Sequence, residues 1–182
     1  FPNLEGVVST FNPSNMAALT SLSLPALTTV GGAFAPSSMT ALTSLSLPAL
    51  TTVGTTFSPN NMAALTSLSL PALTTVGTSF NPSSMAALTS LSLPAIERIG
   101  TNLASGDVIN ISAAVGALTS FTLPATLKQV GGTGGNVTIT SAALDQTSVD
   151  SILVRLAALD GTNGTTAFNN RTVTITGTSA AP

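Results

Sequence analysis

The sequence has no cysteine, no histidine, no tryptophan and no tyrosine, and only 5% of its residues carry a charge. Without cysteine there are no disulfide staples and no thiolate metal sites. An extracellular setting stays open, because exported proteins can hold together without disulfides. Four Lys and Arg side chains against six Asp and Glu give a net charge of −2. A nucleic-acid partner needs a basic footprint, which four scattered cations do not supply. So little charge also gives weak long-range steering towards membranes or charged substrates. Long apolar runs are missing as well. Mean hydropathy is +0.52, yet Ser, Thr, Pro or Gly interrupts every stretch short of the roughly 18 residues of a membrane helix. Neither nucleic-acid binding nor membrane insertion is expected.

What the chain has in abundance is repetition. The octapeptide LTSLSLPA occurs at 19–26, 42–49, 65–72 and 88–95, an unbroken step of 23 residues, and a drifted copy, LTSFTLPA, follows at 118–125. A fixed period of this length predicts a solenoid, in which each unit alone exposes an apolar face and stacking buries those faces in one core. FPNLEGVVSTF (1–11) aligns with LPALTTVGGAF (24–34), so the chain opens halfway through a unit. No stretch reads as a secretion signal, and a processed or truncated N-terminus is expected.

The register within a unit follows from elementary geometry. Alternate side chains of an extended segment point to opposite faces, so Leu22 and Leu24 go inward while Ser21 and Ser23 face solvent. Pro25 ends the strand, having no N–H for the ladder. Leu27 and Val30 form a second inward pair, and Gly31 is expected to let the backbone turn. Stacked units turn such positions into columns. Phe11, Phe34, Phe57 and Phe80 form one, continued by Leu103, and Met16, Met39, Met62 and Met85 form another. Core packing explains both columns better than an adhesive stripe. Glu97 and Lys128 fall in one column on neighbouring units, so they are expected to pair at the surface.

Past Gly100 the repeat drifts. Val108, Ile109 and Ile111 suggest a strand, GGTGGNVTIT (131–140) reads as a glycine-rich turn into a strand, and RTVTITGT (171–178) as a final strand. Between them one helix is expected. Thr147 and Asp150 resemble its capping box, Val149, Ile152, Leu153 and Leu156 share its apolar face, and Gly161 closes it. The predicted fold is thus mostly β and turn, a parallel sheet of 23-residue coils with one helix in a C-terminal cap. Residues 1–102 hold near-identical units, 103–133 a longer drifted one, and 134–182 a strand-helix-strand cap over the open end of the stack. TSAAP at the C-terminus reads as the start of a linker or a cut site.

The L-x-x-L-x-L core with its 23-residue step resembles leucine-rich repeats. The fuller phrase LTSLSLPALTTVGGAF is most similar to the BspA-type class, over roughly residues 1–130. That resemblance implies a place on bacterial surface proteins or on phage and other viral proteins. Leu27, Leu50 and Leu73 stand where ordinary leucine-rich repeats carry Asn or Cys, so no asparagine ladder is expected. The tail from Ser148 is similar to tails of repeat-containing phage proteins.

Catalysis usually needs a base, a nucleophile or a metal cluster. The six carboxylates, Glu5, Glu97, Asp107, Asp145, Asp150 and Asp160, are scattered, and no nucleophile-elbow or phosphate-loop spacing occurs. No enzyme, cofactor or metal is expected. Sites of the form N-x-S/T begin at Asn110, Asn136, Asn163 and Asn170 and matter only in a source that glycosylates. What remains is surface. Ser21, Ser23, Ser44, Ser46, Ser67, Ser69, Ser90 and Ser92 are expected to form a flat, uncharged hydroxyl lattice. The expected role is non-enzymatic recognition of a protein or glycan surface by many weak contacts, outside the cell, on a cell surface or on a virion. Self-association into a fibre or shell is the second expectation. Ice binding ranks third, because Ser outnumbers Thr on that face.

Overall fold

The structure is a computed structural model that describes residues 2–101, 107–111, 117–131, 135–141, 143–161, 167–168 and 171–176. It consists mostly of parallel strands in stacked sheets, with one α-helix among the described residues. The Thr-Val step of each unit forms β1 (Gly6–Val7), β3 (Thr29–Val30), β5 (Thr52–Val53), β7 (Thr75–Val76), β9 (Arg98–Ile99) and β11 (Gln129–Val130). These six pair in chain order in one parallel sheet, with Val7, Val30, Val53, Val76, Ile99 and Val130 in register. The Leu-Ser phrase forms β2 (Ser21–Ser23), β4 (Ser44–Ser46), β6 (Ser67–Ser69) and β8 (Ser90–Ser92). Leu22 stacks on Leu45, and Leu68 on Leu91. Each of these strands buries its central leucine and exposes both serines. Leu24 still donates its N–H to Ser46 O at 3.0 Å before Pro25 ends the ladder.

The long continuous sheet therefore runs along Thr-Val, whereas the Leu-Ser strands make two separate pairs, β2–β4 and β6–β8. Pro limits each Leu-Ser strand to three residues, while the Thr side is reinforced by its own hydroxyls. Thr28, Thr51 and Thr74 each donate both N–H and Oγ1 to the carbonyl at the same place in the preceding unit, with hydroxyl distances of 2.9, 3.0 and 3.0 Å. This threonine ladder runs one residue after the buried Leu27, Leu50 and Leu73.

The core is one apolar cluster running the length of the stack. Phe34, Phe57 and Phe80 are fully buried, and successive rings from Phe11 stack with centroids 5.3, 5.1 and 5.2 Å apart. Met39, Met62 and Met85 are fully buried, but Met16 at the first unit is 46% exposed. Ile109 continues the Phe column, through a parallel bridge to Phe80. The pairing falls six residues beyond the 23-residue step, and Leu103 lies outside the described residues. The Glu97 and Lys128 side chains meet at 3.2 Å as expected.

Glycine at 31 and 54 serves close approach rather than turning. A Cβ on Gly54 would lie 2.1 Å from Gly31 O, and one on Gly31 2.1 Å from Val8 O. Val8 holds the same place in the first unit, and its side chain is 97% exposed at the sheet's end.

At the other end, β10 (Asp107–Ile111), β12 (Asn136–Thr140) and β13 (Val173–Thr176) form a parallel three-stranded sheet. The helix α1 (Gln146–Ala157) lies between β12 and β13. Its N-cap is Asp145, whose carboxylate accepts from Ser148 N at 2.7 Å, and not the expected Thr147. Ser148 is instead buried, its hydroxyl accepting from Phe121 N at 3.2 Å, which places the helix start two residues earlier. Ile152 and Leu156 face the core, whereas Leu153 is 46% exposed. The helix ends at Ala158, before Gly161, which takes a left-handed φ of 88°.

Several hydrogen bonds at this end go to carbonyls whose counterparts accept from the following 23-residue stretch. Asp145 N–H bonds Thr119 O at 3.1 Å, the place taken between units by Thr43 on Thr20 and Thr89 on Thr66. The Arg171 guanidinium donates to Val130 O, an oxygen whose counterparts Val7, Val30, Val53, Val76 and Ile99 accept from the next unit's glycine N–H. Arg171 also lies 4.9 Å over the Phe168 ring, and burial holds its pKa below the ordinary arginine value.

Candidate functional site

The eight serines expected to form a lattice are all exposed. Ser21 is paired with Ser44 and Ser23 with Ser46; Ser67 is paired with Ser90 and Ser69 with Ser92. Ser90 then bridges to Ser120 in the drifted unit. Strand alternation alone produces this arrangement, since the leucine between each pair is drawn into the core. The threonines before the second and fourth pairs are tied down, with Thr43 Oγ1 bonded to Thr20 O at 3.1 Å and Thr89 Oγ1 to Thr66 O at 3.1 Å. The leucine-flanking serine hydroxyls are exposed and have no such tie among the described residues. Among the described residues of these strands none is charged.

The lattice is not continuous. Between β4 and β6 no strand pairing forms, and the Thr66 N–H and hydroxyl do not reach Thr43 O as their counterparts in the other units do. A shallow cleft of about 380 Å³ opens there, lined by Ser44, Ser46, Pro48, Ser67, Ser69 and Pro71. The repeated phrase reads identically on both sides of this seam, so no local sequence signal marks it. The expectation of one flat lattice is corrected to two serine patches flanking a cleft.

Elsewhere the chemistry is sparse. Among the described residues no three His, Cys, Asp or Glu side chains come together as a metal site, and no helix is long and apolar enough to cross a membrane. The Asp145 carboxyl is held below the ordinary aspartate value by the Ser148 hydroxyl and N–H, which is helix capping. Asp150 accepts from Gln146 Nε2 at 2.7 Å on the same helix. Sequence reasoning passed over Ser141 and Ser148, the buried polar side chains that dock the C-terminal segment, with Ser141 Oγ donating to Leu118 O at 2.8 Å. Their only signal was a serine beside apolar residues in a region without periodicity. Asn163 and Asn170 lie outside the described residues, while Asn110 and Asn136 sit on β10 and β12.

No family model matches the chain, and neither the curated proteins nor the solved structures compared with it give a match.

Proposed function

We propose that the protein is a leucine-rich-repeat-type solenoid that recognises an uncharged surface, protein or glycan, through its exposed serine patches. The proposal extends to a site outside the cell, on a cell surface or a virion, and to a non-enzymatic role. The observation that carries it is the pairing of untied serine hydroxyls on consecutive strands. Rigid spacing lets several weak hydrogen bonds act together, which multiplies affinity without any strong single contact. The C-terminal segment is the stack's cap, as the bonds from Asp145 and Arg171 support. Replacing Ser44, Ser46, Ser67 and Ser69 with Lys should leave the circular-dichroism melt nearly unchanged, because all four are exposed. The same variant should lose retention on whichever arrayed glycans or cell surfaces retain the wild type. Retention equal to wild type would contradict the proposal.

Assembly into a fibre is the second reading, and Val8 and Arg171 bear on it. Val8 fills a place where Gly31 and Gly54 meet a carbonyl 2.1 Å from any Cβ, and Arg171 occupies the oxygen a following unit would use. Both features disfavour stacking of a further unit in the repeat register at those two places, so this reading rests on lateral contacts through the uncharged faces. Filaments in electron micrographs of the purified protein would favour this reading over recognition by a monomer.

A further inference from the structure

The seam between β4 and β6 leaves open main-chain groups that the same repeat satisfies on either side of it. Across β2 and β4, Leu24 N donates to Ser46 O, and the Thr43 and Ser44 N–H groups bond Thr20 O. Across β6 and β8, Leu70 N donates to Ser92 O, and the Thr89 and Ser90 N–H groups bond Thr66 O. At the seam the matching groups are the N–H of Leu47, Thr66 and Ser67 and the C=O of Thr43 and Ser69. None of these has a partner among the described residues. Yet the same two units stay locked on their other sides, with Thr52 paired to Thr75 and Phe57 bridged to Phe80. The cleft is therefore a wedge fixed at its back, with the buried Leu45 and Leu47 in its lining.

We propose, resting on the recognition reading above and narrowing it to one ligand class, that this wedge binds one ring of an uncharged saccharide. The ring's hydroxyls complete the interrupted ladder. A hydroxyl both donates and accepts, so neighbouring ring hydroxyls suit walls that offer the Leu47 and Ser67 N–H together with the Thr43 and Ser69 C=O. Pro48 and Pro71 supply apolar surface for the ring's C–H face. The cleft volume of about 380 Å³ lies at the small end of the roughly 300–1,000 Å³ of small-molecule sites. A peptide strand is too wide for it. Such a strand needs neighbours roughly 9.5 Å apart, two strand spacings, whereas Cα atoms of β4 and β6 still approach within 8 Å. Among the described residues no charged side chain lines the cleft, so a sulfated or carboxylated sugar gains no ion pair there.

The test titrates the isotope-labelled full chain with the methyl glycosides of glucose, galactose, mannose and N-acetylglucosamine, followed by nuclear magnetic resonance. With at least one of them, saturable shifts of the Leu47, Thr66 and Ser67 amide signals are expected. The Leu24, Thr89 and Ser90 amides, already bonded across the strands, should stay in place. Ser46→Leu and Ser69→Leu each fill the cleft and should weaken binding at least tenfold. Ser23→Leu and Ser92→Leu, outside the cleft on the paired strands, should leave it unchanged. All four serines are exposed, and the melting curve of each variant serves as the control for folding. Absence of a saturable shift with any of these glycosides would overturn the proposal, while surface retention by the serine patches would still stand or fall on the lysine variant above. Equal weakening by both pairs of leucine variants would also overturn it, assigning the sugar to the serine patches at large and leaving the recognition reading intact.

Discussion

Gly54 illustrates how a single atom governs the stacking. Its hydrogen faces the Gly31 carbonyl, and any Cβ placed there would sit 2.1 Å from that oxygen. In the middle of the stack neither neighbour can retreat without disturbing its own ladder. Gly54→Ala should therefore destabilise the protein by about 3 kcal/mol, an overpacking cost, measurable by urea unfolding. The left-handed column behaves oppositely. Asn15, Ser38, Asn61 and Ser84 have φ between 54° and 59°, a conformation that asparagine tolerates better than serine. Ser38→Asn and Ser84→Asn should each raise stability by about 0.5 kcal/mol, read from the same unfolding curves. The inward leucines, valines and phenylalanines were legible from the repeat because alternation and Pro placement determine them. Gly31 was recognised as special for the wrong reason, since its close contact is with a residue 23 positions away and no local pattern shows it.

At the scale of elements, the helix was foreseen from its apolar spacing, but its start was not. The sequence points to Thr147 as the cap, and the structure uses Asp145. Ser148 decides between them, because its buried hydroxyl docks on Phe121 N and its N–H is left for Asp145. The resulting shift has a pH consequence. The Asp145 pKa is lower folded than unfolded, so the cap's contribution is fully present above the ordinary aspartate value of 3.8. It should be lost as pH falls through 3.8 and on through the lower folded value. Asp145→Asn, itself a competent N-cap, should flatten that part of the stability profile followed by far-ultraviolet circular dichroism. The Glu97–Lys128 pair, with side chains 40% and 44% exposed, belongs to a different class and marks register more than it stabilises. Between the two, Thr126 adds one residue that the first four units lack and turns its hydroxyl onto Ile96 O at 2.9 Å. The split of the Leu-Ser strands into pairs was not legible, because identical phrases flank the seam.

For the whole molecule, the repeat conveyed more about architecture than about partners. Its period sets which residues meet, and parallel register follows through Val7, Val30, Val53 and Val76 without interruption. The serine surface was legible too, as the solvent half of the same alternation, but its cleft arises from where pairing stops. Central to everything here is the claim that the backbone returns to the same place after 23 residues. Inserting a second copy of residues 42–64 directly after Leu65's predecessor, Ala64, tests it most directly. A 23-residue insertion adds one more buried interface and should raise the melting temperature while keeping the circular-dichroism spectrum. The same insertion shortened by one residue should lower it, by putting core leucines on the solvent side. Equal loss of stability from both insertions would contradict the claim.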